Sequence, residues 1–133
     1  MKLHTLIAID NYRITDDGIK DMNLHTLDVS GQCSVTDQGT GKQLNLHTLK
    51  AGLYCQITNE GIKNLNLHTL DISANENITN EGIKHLKLHT LIAQENDCLI
   101  SDEGIKHMKL YRVDATNNSK ITPKGSGAYI FDD

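Results

Sequence analysis

Apolar and polar residues alternate along this chain in a phrase that returns at a nearly fixed interval. Leu-His-Thr-Leu stands at Leu3–Leu6, Leu24–Leu27, Leu46–Leu49, Leu67–Leu70 and Leu88–Leu91, and a weakened copy, Leu110-Tyr111-Arg112-Val113, follows. Successive starts lie 21, 22, 21, 21 and 22 residues apart. Units of this length cannot bury a core alone, so the spacing predicts an array whose members stack on one another.

The fourth unit, residues 67–87, is the most regular. Its opening alternates as a half-buried strand does, with Leu67, Leu70 and Ile72 pointing inward. The same register makes every fourth-place residue apolar (Leu6, Leu27, Leu49, Leu70, Leu91, Val113) and every sixth-place one too (Ala8, Val29, Ala51, Ile72, Ala93, Ala115). The second half of each unit predicts one short helical turn. Thr15, Thr36, Thr58, Thr79, Ser101 and Thr122 are placed as N-caps, acidic residues follow where the helix dipole favours them, and Pro123 takes a first helical position. Behind the turn, Ile19, Ile62, Ile83 and Ile105 with Met22, Leu44, Leu65, Leu86 and Met108 are expected to close the core.

Gly18, Gly39, Gly61, Gly82, Gly104 and Gly125 recur inside that turn, although glycine costs a helix interior up to about 1 kcal/mol relative to alanine. Two explanations stand: close stacking of successive turns, or a positive φ that stops each helix.

The pattern Leu-x-x-Leu-x-Ile-x-x-Asn-x-x-Ile, from Leu67 to Ile78, resembles the leucine-rich repeat, and it recurs through nearly the whole chain. The resemblance implies an α/β fold, a right-handed solenoid of about six repeats with a parallel β-sheet on the concave face and short helical turns on the convex face. It implies one domain over 1–133, with units starting near 3, 24, 46, 67, 88 and 110 and a capping segment over 126–133 that presents Tyr129, Ile130 and Phe131. It also implies a ladder of ninth-place asparagines, Asn11, Asn75, Asn96 and Asn118, from which Gln32 and Tyr54 depart. The phrase Ile-Thr-Asp-x-Gly-Ile, at Ile14–Ile19, is similar to the cysteine-containing subclass known from the recognition arms of F-box proteins, with Cys33 and Cys55 one place beyond that subclass's cysteine. The second unit carries its extra residue in the helical turn, and the fifth carries one between Asn96 and Ile100.

A net charge of -4 without a basic stripe argues against nucleic acid as a partner. No apolar run approaches the roughly 18 residues of a membrane span and no export signal precedes Leu3, so no membrane partner and a cytoplasmic location are expected. In that setting the sequons at Asn77 and Asn117 are chance matches, and the three cysteines, Cys33, Cys55 and Cys98, read as free thiols. A bond between Cys33 and Cys55, which hold equivalent places on adjacent rungs, is the alternative.

Second-place His4, His25, His47, His68 and His89 form a column beside Thr5, Thr26, Thr48, Thr69 and Thr90. A row of identical residues reads as a structural ladder, with zinc binding and pH sensing as the functional alternatives. Gly39-Thr40-Gly41-Lys42 resembles a phosphate loop without its upstream glycine or magnesium-holding hydroxyl. No catalytic residue, metal or cofactor is expected.

The informative residues are those that vary against the fixed scaffold. Places that alternate among Ile, Asp and Lys must face solvent. They supply a candidate partner-binding face of Ile7, Ile9, Asp28, Ser30, Lys50, Leu53, Tyr54, Asp71, Ser73, Ile92, Gln94, Glu95, Asp114 and Thr116. Outward apolar anchors among polar neighbours suit a protein or peptide partner. The alternatives are the recognition arm of a ubiquitin-ligase adaptor or host-directed effector, and a structural or engineered scaffold. The N-terminal edge, for which no cap is evident, is a candidate for self-association.

Overall fold

The structure, a computed structural model, describes residues 4–122 and 129–130. Each unit folds alike, because each repeats the same alternation of inward apolar and outward polar residues. Three-residue strands β1 (Thr5–Ile7), β2 (Thr26–Asp28), β3 (Thr48–Lys50), β4 (Thr69–Asp71), β5 (Thr90–Ile92) and β6 (Arg112–Asp114) alternate with single-turn helices α1 (Asp16–Ile19), α2 (Asp37–Thr40), α3 (Asn59–Ile62), α4 (Asn80–Ile83) and α5 (Asp102–Ile105). Strand β7 (Tyr129–Ile130) follows. The strands form one parallel sheet in sequence order, and Leu6, Leu27, Leu49, Leu70, Leu91 and Val113 stand on successive rungs. Equivalent places therefore become continuous columns.

The core lies between sheet and helices. Leu27, Leu49, Leu70, Leu91 and Val113 meet Ile19, Ile62, Ile83 and Ile105 there, all fully buried. The sixth-place residues Ala8 to Ala115 are buried as expected. Leu6 and Ile14, in the first unit, are only partly covered.

The helix side is joined by bonds the local rules did not predict. The first helical residue of each unit reaches the residue before the next unit's helix. Asp16 accepts from the amide and hydroxyl of Thr36 at 2.7 and 2.5 Å. Asp37 does the same to Thr58, and Asp102 to Thr122. Asn59 and Asn80 accept the amides of Thr79 and Ser101 through Oδ1 and donate to their hydroxyls through Nδ2. The expected N-caps are corrected accordingly: among the described helices only Thr36 and Thr58 also accept from their own helix, while Thr15, Thr79 and Ser101 make no side-chain cap bond, and the segment after Thr122 lies outside the described residues.

These clamps explain the recurring glycine. A Cβ on Gly39, Gly61, Gly82 or Gly104 would fall 2.1–2.4 Å from the clamping oxygen of the preceding unit. Gly18, with no unit clamped behind it, would meet nothing within 4 Å. Close stacking is the cause, and the positive-φ explanation is set aside, since Gly31 is the only glycine with positive φ among the described residues. Gly125 and Pro123 lie outside them.

Two further expectations change. Leu44 is 69% exposed, and Gln43 takes its place in the core. The extra residue of the second unit shifts the register there, and Gln43 satisfies its own burial by donating to the Ile19 carbonyl and accepting from the Leu24 amide. The inward position of the turn after each strand, half-buried in the first unit and buried in the others, is also not Asn throughout. It runs Asn11, Cys33, Cys55, Asn75, Cys98, Asn118, and Asn96 is exposed. Asn75 bonds two amides and the Ala51 carbonyl, while the cysteines stand one or two residues further from their strands than Asn75 does. All three cysteines are buried and free, so the Cys33–Cys55 bond is set aside.

At the C-terminal end, β7 adds to β6 in parallel with Val113 opposite Ile130. The tail therefore covers the last full rung through its backbone; Phe131 lies outside the described residues.

Candidate binding surface

The outward face is built by the third, fifth and seventh places of each strand and by the turn that follows. The structure brings the fourteen candidates onto this side of the sheet but divides them by what they do. Asp28, Asp71 and Asp114 each accept, through Oδ1, the amide two residues ahead, from Ser30, Ser73 and Thr116 at 3.0–3.1 Å. Ser30 and Ser73 then accept through Oγ from the amides of Gly52 and Gln94 on the next rung, at 3.0 Å. Gln94 donates to Asp114 at 2.7 Å. These residues tie turn to turn.

Asp28 corrects the expectation of a solvent-facing row. It is 8% exposed, between Ile7 and Lys50 in the ladder. Its carboxylate tolerates this cover because it is hydrogen-bonded to backbone.

The unengaged surface is apolar. Ile7 is 65% exposed, Ile9 51%, Leu53 41% and Tyr54 68%, beside exposed Lys50 and Glu95; Ile92 is half-buried. Tyr54 has a second distinction. The residue that turns the chain off each strand adopts positive φ, and it is Asp10, Gly31, Tyr54, Ala74, Glu95 and Asn117 in the six units. For an aromatic residue this region costs on the order of 1–2 kcal/mol. The signal was present in the sequence as an aromatic residue at a turn.

Beside this face the imidazoles stack. Ring centroids of His25, His47, His68 and His89 are 4.6, 4.4 and 4.3 Å apart in turn, and Tyr111 continues the column at 4.8 Å. Each of these four histidines holds its Nδ1 within 2.9–3.1 Å of the threonine that follows it. Burial and, after it, the neighbouring His68 and His25 hold the His47 pKa below its ordinary value. Among the described residues no group of three or more His, Cys, Asp or Glu side chains is placed to hold a metal ion.

No protein-family model and no curated protein matches the chain. Chemistry must therefore be read from the geometry. Burial pushes the Cys55 thiol up to about 11, and raises Cys33 and Cys98 as well, which disfavours the thiolate a nucleophile needs. The Gly39–Lys42 segment forms no phosphate cradle: Gly39 and Thr40 belong to α2, and the Thr40 hydroxyl is bonded to the Gly61 carbonyl. Among the described residues no helix is long and apolar enough to cross a membrane.

Proposed function

We propose that the chain is a leucine-rich-repeat protein, a right-handed solenoid with its sheet on the concave side, that binds a protein or peptide across that sheet without catalysing a reaction. The observation that carries this reading is the Leu53-Tyr54 turn. Both side chains are exposed, and Tyr54 is held in a backbone conformation unfavourable to it, where other units place Gly, Ala, Asn or an acidic residue. An exposed aromatic kept at a cost to the fold is better explained by contact with a partner than by packing. Ile7 and Ile9, two rungs or about 10 Å away, extend the apolar surface, and Lys50 and Glu95 give it polar surroundings. The Asp, Ser and Gln residues of the row fix the shape on which those anchors stand.

Tyr54→Gly separates function from stability. It removes the ring and relieves the backbone, so the fold should hold or gain up to about 1 kcal/mol. Affinity capture from the source organism should recover a partner with the unaltered chain and with Lys42→Ala on the helix side, and lose it with Tyr54→Gly and Ile7→Ser. Equal recovery by all four chains would refute a binding role for this face.

A further inference from the structure

The residue that closes each of the first five units reads Asn23, Asn45, Asn66, Lys87, Lys109, and Lys2 stands before the first. Early in the chain this column is made of amides, and Asn45 Nδ2 donates to Asn23 Oδ1 across one rung at 2.8 Å. Two places earlier, Asp21 and Asn64 in the first and third units give way to His85 and His107. Stacking does not require the change, since Asn fills the place in three units. Like charges on neighbouring rungs oppose stability.

Between the fourth and fifth units these side chains line a cleft of about 530 Å³, with Lys84, His85, Lys87, His107 and Lys109 around nearly buried Leu88. The corresponding groove at Asn45 and Asn66 has about 250 Å³ and no lysine in its lining. Lys84 is paired with Glu81 at 2.5 Å. Among the described residues, no carboxylate lies within ion-pair distance of Lys87 or Lys109. The net negative charge of the chain does not cancel them, because exposed charges beyond about 8 Å are screened at physiological salt.

We propose that this cleft binds a small, multiply charged, phosphate-bearing molecule, with its anionic oxygens between Lys87 and Lys109. The volume falls within the roughly 300–1,000 Å³ of small-molecule sites. Strands stack about 4.8 Å apart, and Lys87 and Lys109 line the same cleft from successive units, so their flexible side chains can reach one anion together. A phosphate group carries about -1.5 to -2 at neutral pH and matches both, whereas a single carboxylate leaves one uncompensated. These lysines gather where two units meet and form no stripe along the chain.

The test is titration of the isotope-labelled full chain with inorganic pyrophosphate, followed by amide shifts. Saturable shifts confined to residues 84–88 and 107–110 are expected, with none from acetate. The double variant Lys87→Asn/Lys109→Asn installs the residue of the first three units, so its spectrum elsewhere should be unchanged. Its affinity should fall about tenfold or more, as loss of a charge-assisted pair implies. Chain-wide or unsaturable shifts, or equal affinity in the variant, would overturn the proposal. Co-sedimentation with vesicles of phosphatidylcholine and phosphatidylserine separates a lipid source. Sedimentation with vesicles but no response to pyrophosphate would equally reject a small-molecule site.

Discussion

Asp37 holds Thr58 of the next unit at two points, accepting its amide at 2.8 Å and its hydroxyl at 2.5 Å. The equivalent residues Asn59 and Asn80 bridge the same two groups with an amide, which shows that the geometry and not the charge is required. Asp37→Ala should therefore lower unfolding free energy by about 1–3 kcal/mol, the cost of leaving partly buried groups unpaired. Asp37→Asn should cost much less. Urea midpoints for the two variants check this, and equal losses would assign the effect to charge.

The same clamp makes one alanine substitution harmful and its counterpart harmless. A Cβ at residue 82 would lie 2.1 Å from Asn59 Oδ1, while the space beside Gly18 is open. Gly82→Ala should destabilise by about 1–3 kcal/mol through overpacking. Gly18→Ala should be neutral or stabilise by up to about 1 kcal/mol, since alanine is the better helix former. Thermal melts that moved in the same direction would remove the steric explanation.

Asn75 is 2% exposed and serves the Asn77 and Ile78 amides and the Ala51 carbonyl. Its replacement by alanine should cost about 3 kcal/mol, several buried polar groups losing their partner at once. Asn75→Cys should not rescue the loss, because each native cysteine stands one or two residues further along its turn than Asn75 does. Rescue, measured by denaturant unfolding, would show that cysteine and asparagine are interchangeable there.

His47 sets a pH dependence. Its folded-state pKa lies below the ordinary value, so the unfolded chain binds the proton more readily. Stability contributed by the neutral ring is complete above about pH 6.5 and is lost as pH falls through that value toward the folded pKa. Urea midpoints should drop between about pH 7.5 and about pH 5.5, and His47→Gln should reduce the drop. A midpoint that rose on acidification would contradict the stacked arrangement of His25, His47 and His68.

The columns were legible because repetition fixes register: Leu27, Leu49 and Leu70 can only be equivalent if the strands stack in parallel. The clamp was not, although its residues are all visible. Asp16, Asp37 and Asp102 satisfy a rule about helix termini within one unit, and that local success concealed a bond to the following unit; Asn59 and Asn80, which the dipole does not explain, were the clue. The Asn96 and Leu44 expectations failed in the two units that carry an extra residue. Counting forward from Leu88 lands on Asn96 and counting back from Leu46 lands on Leu44, whereas the fold absorbs each extra residue in a turn, buries Cys98 and Gln43 instead, and restores register at Ile100 and Leu46. Of the candidate surface, exposure was readable at Ile7 and Tyr54, but the backbone bonds that occupy Asp28, Ser30 and Ser73 depend on the neighbouring rung.

The most direct test of the stacked array is a nuclear Overhauser spectrum of the full chain. Side-chain contacts between Leu27 and Leu49, Leu49 and Leu70, and Leu70 and Leu91 should appear, each joining residues one unit apart on adjacent rungs. Their absence, with contacts instead confined to residues three or four apart as in extended helices, would contradict the account.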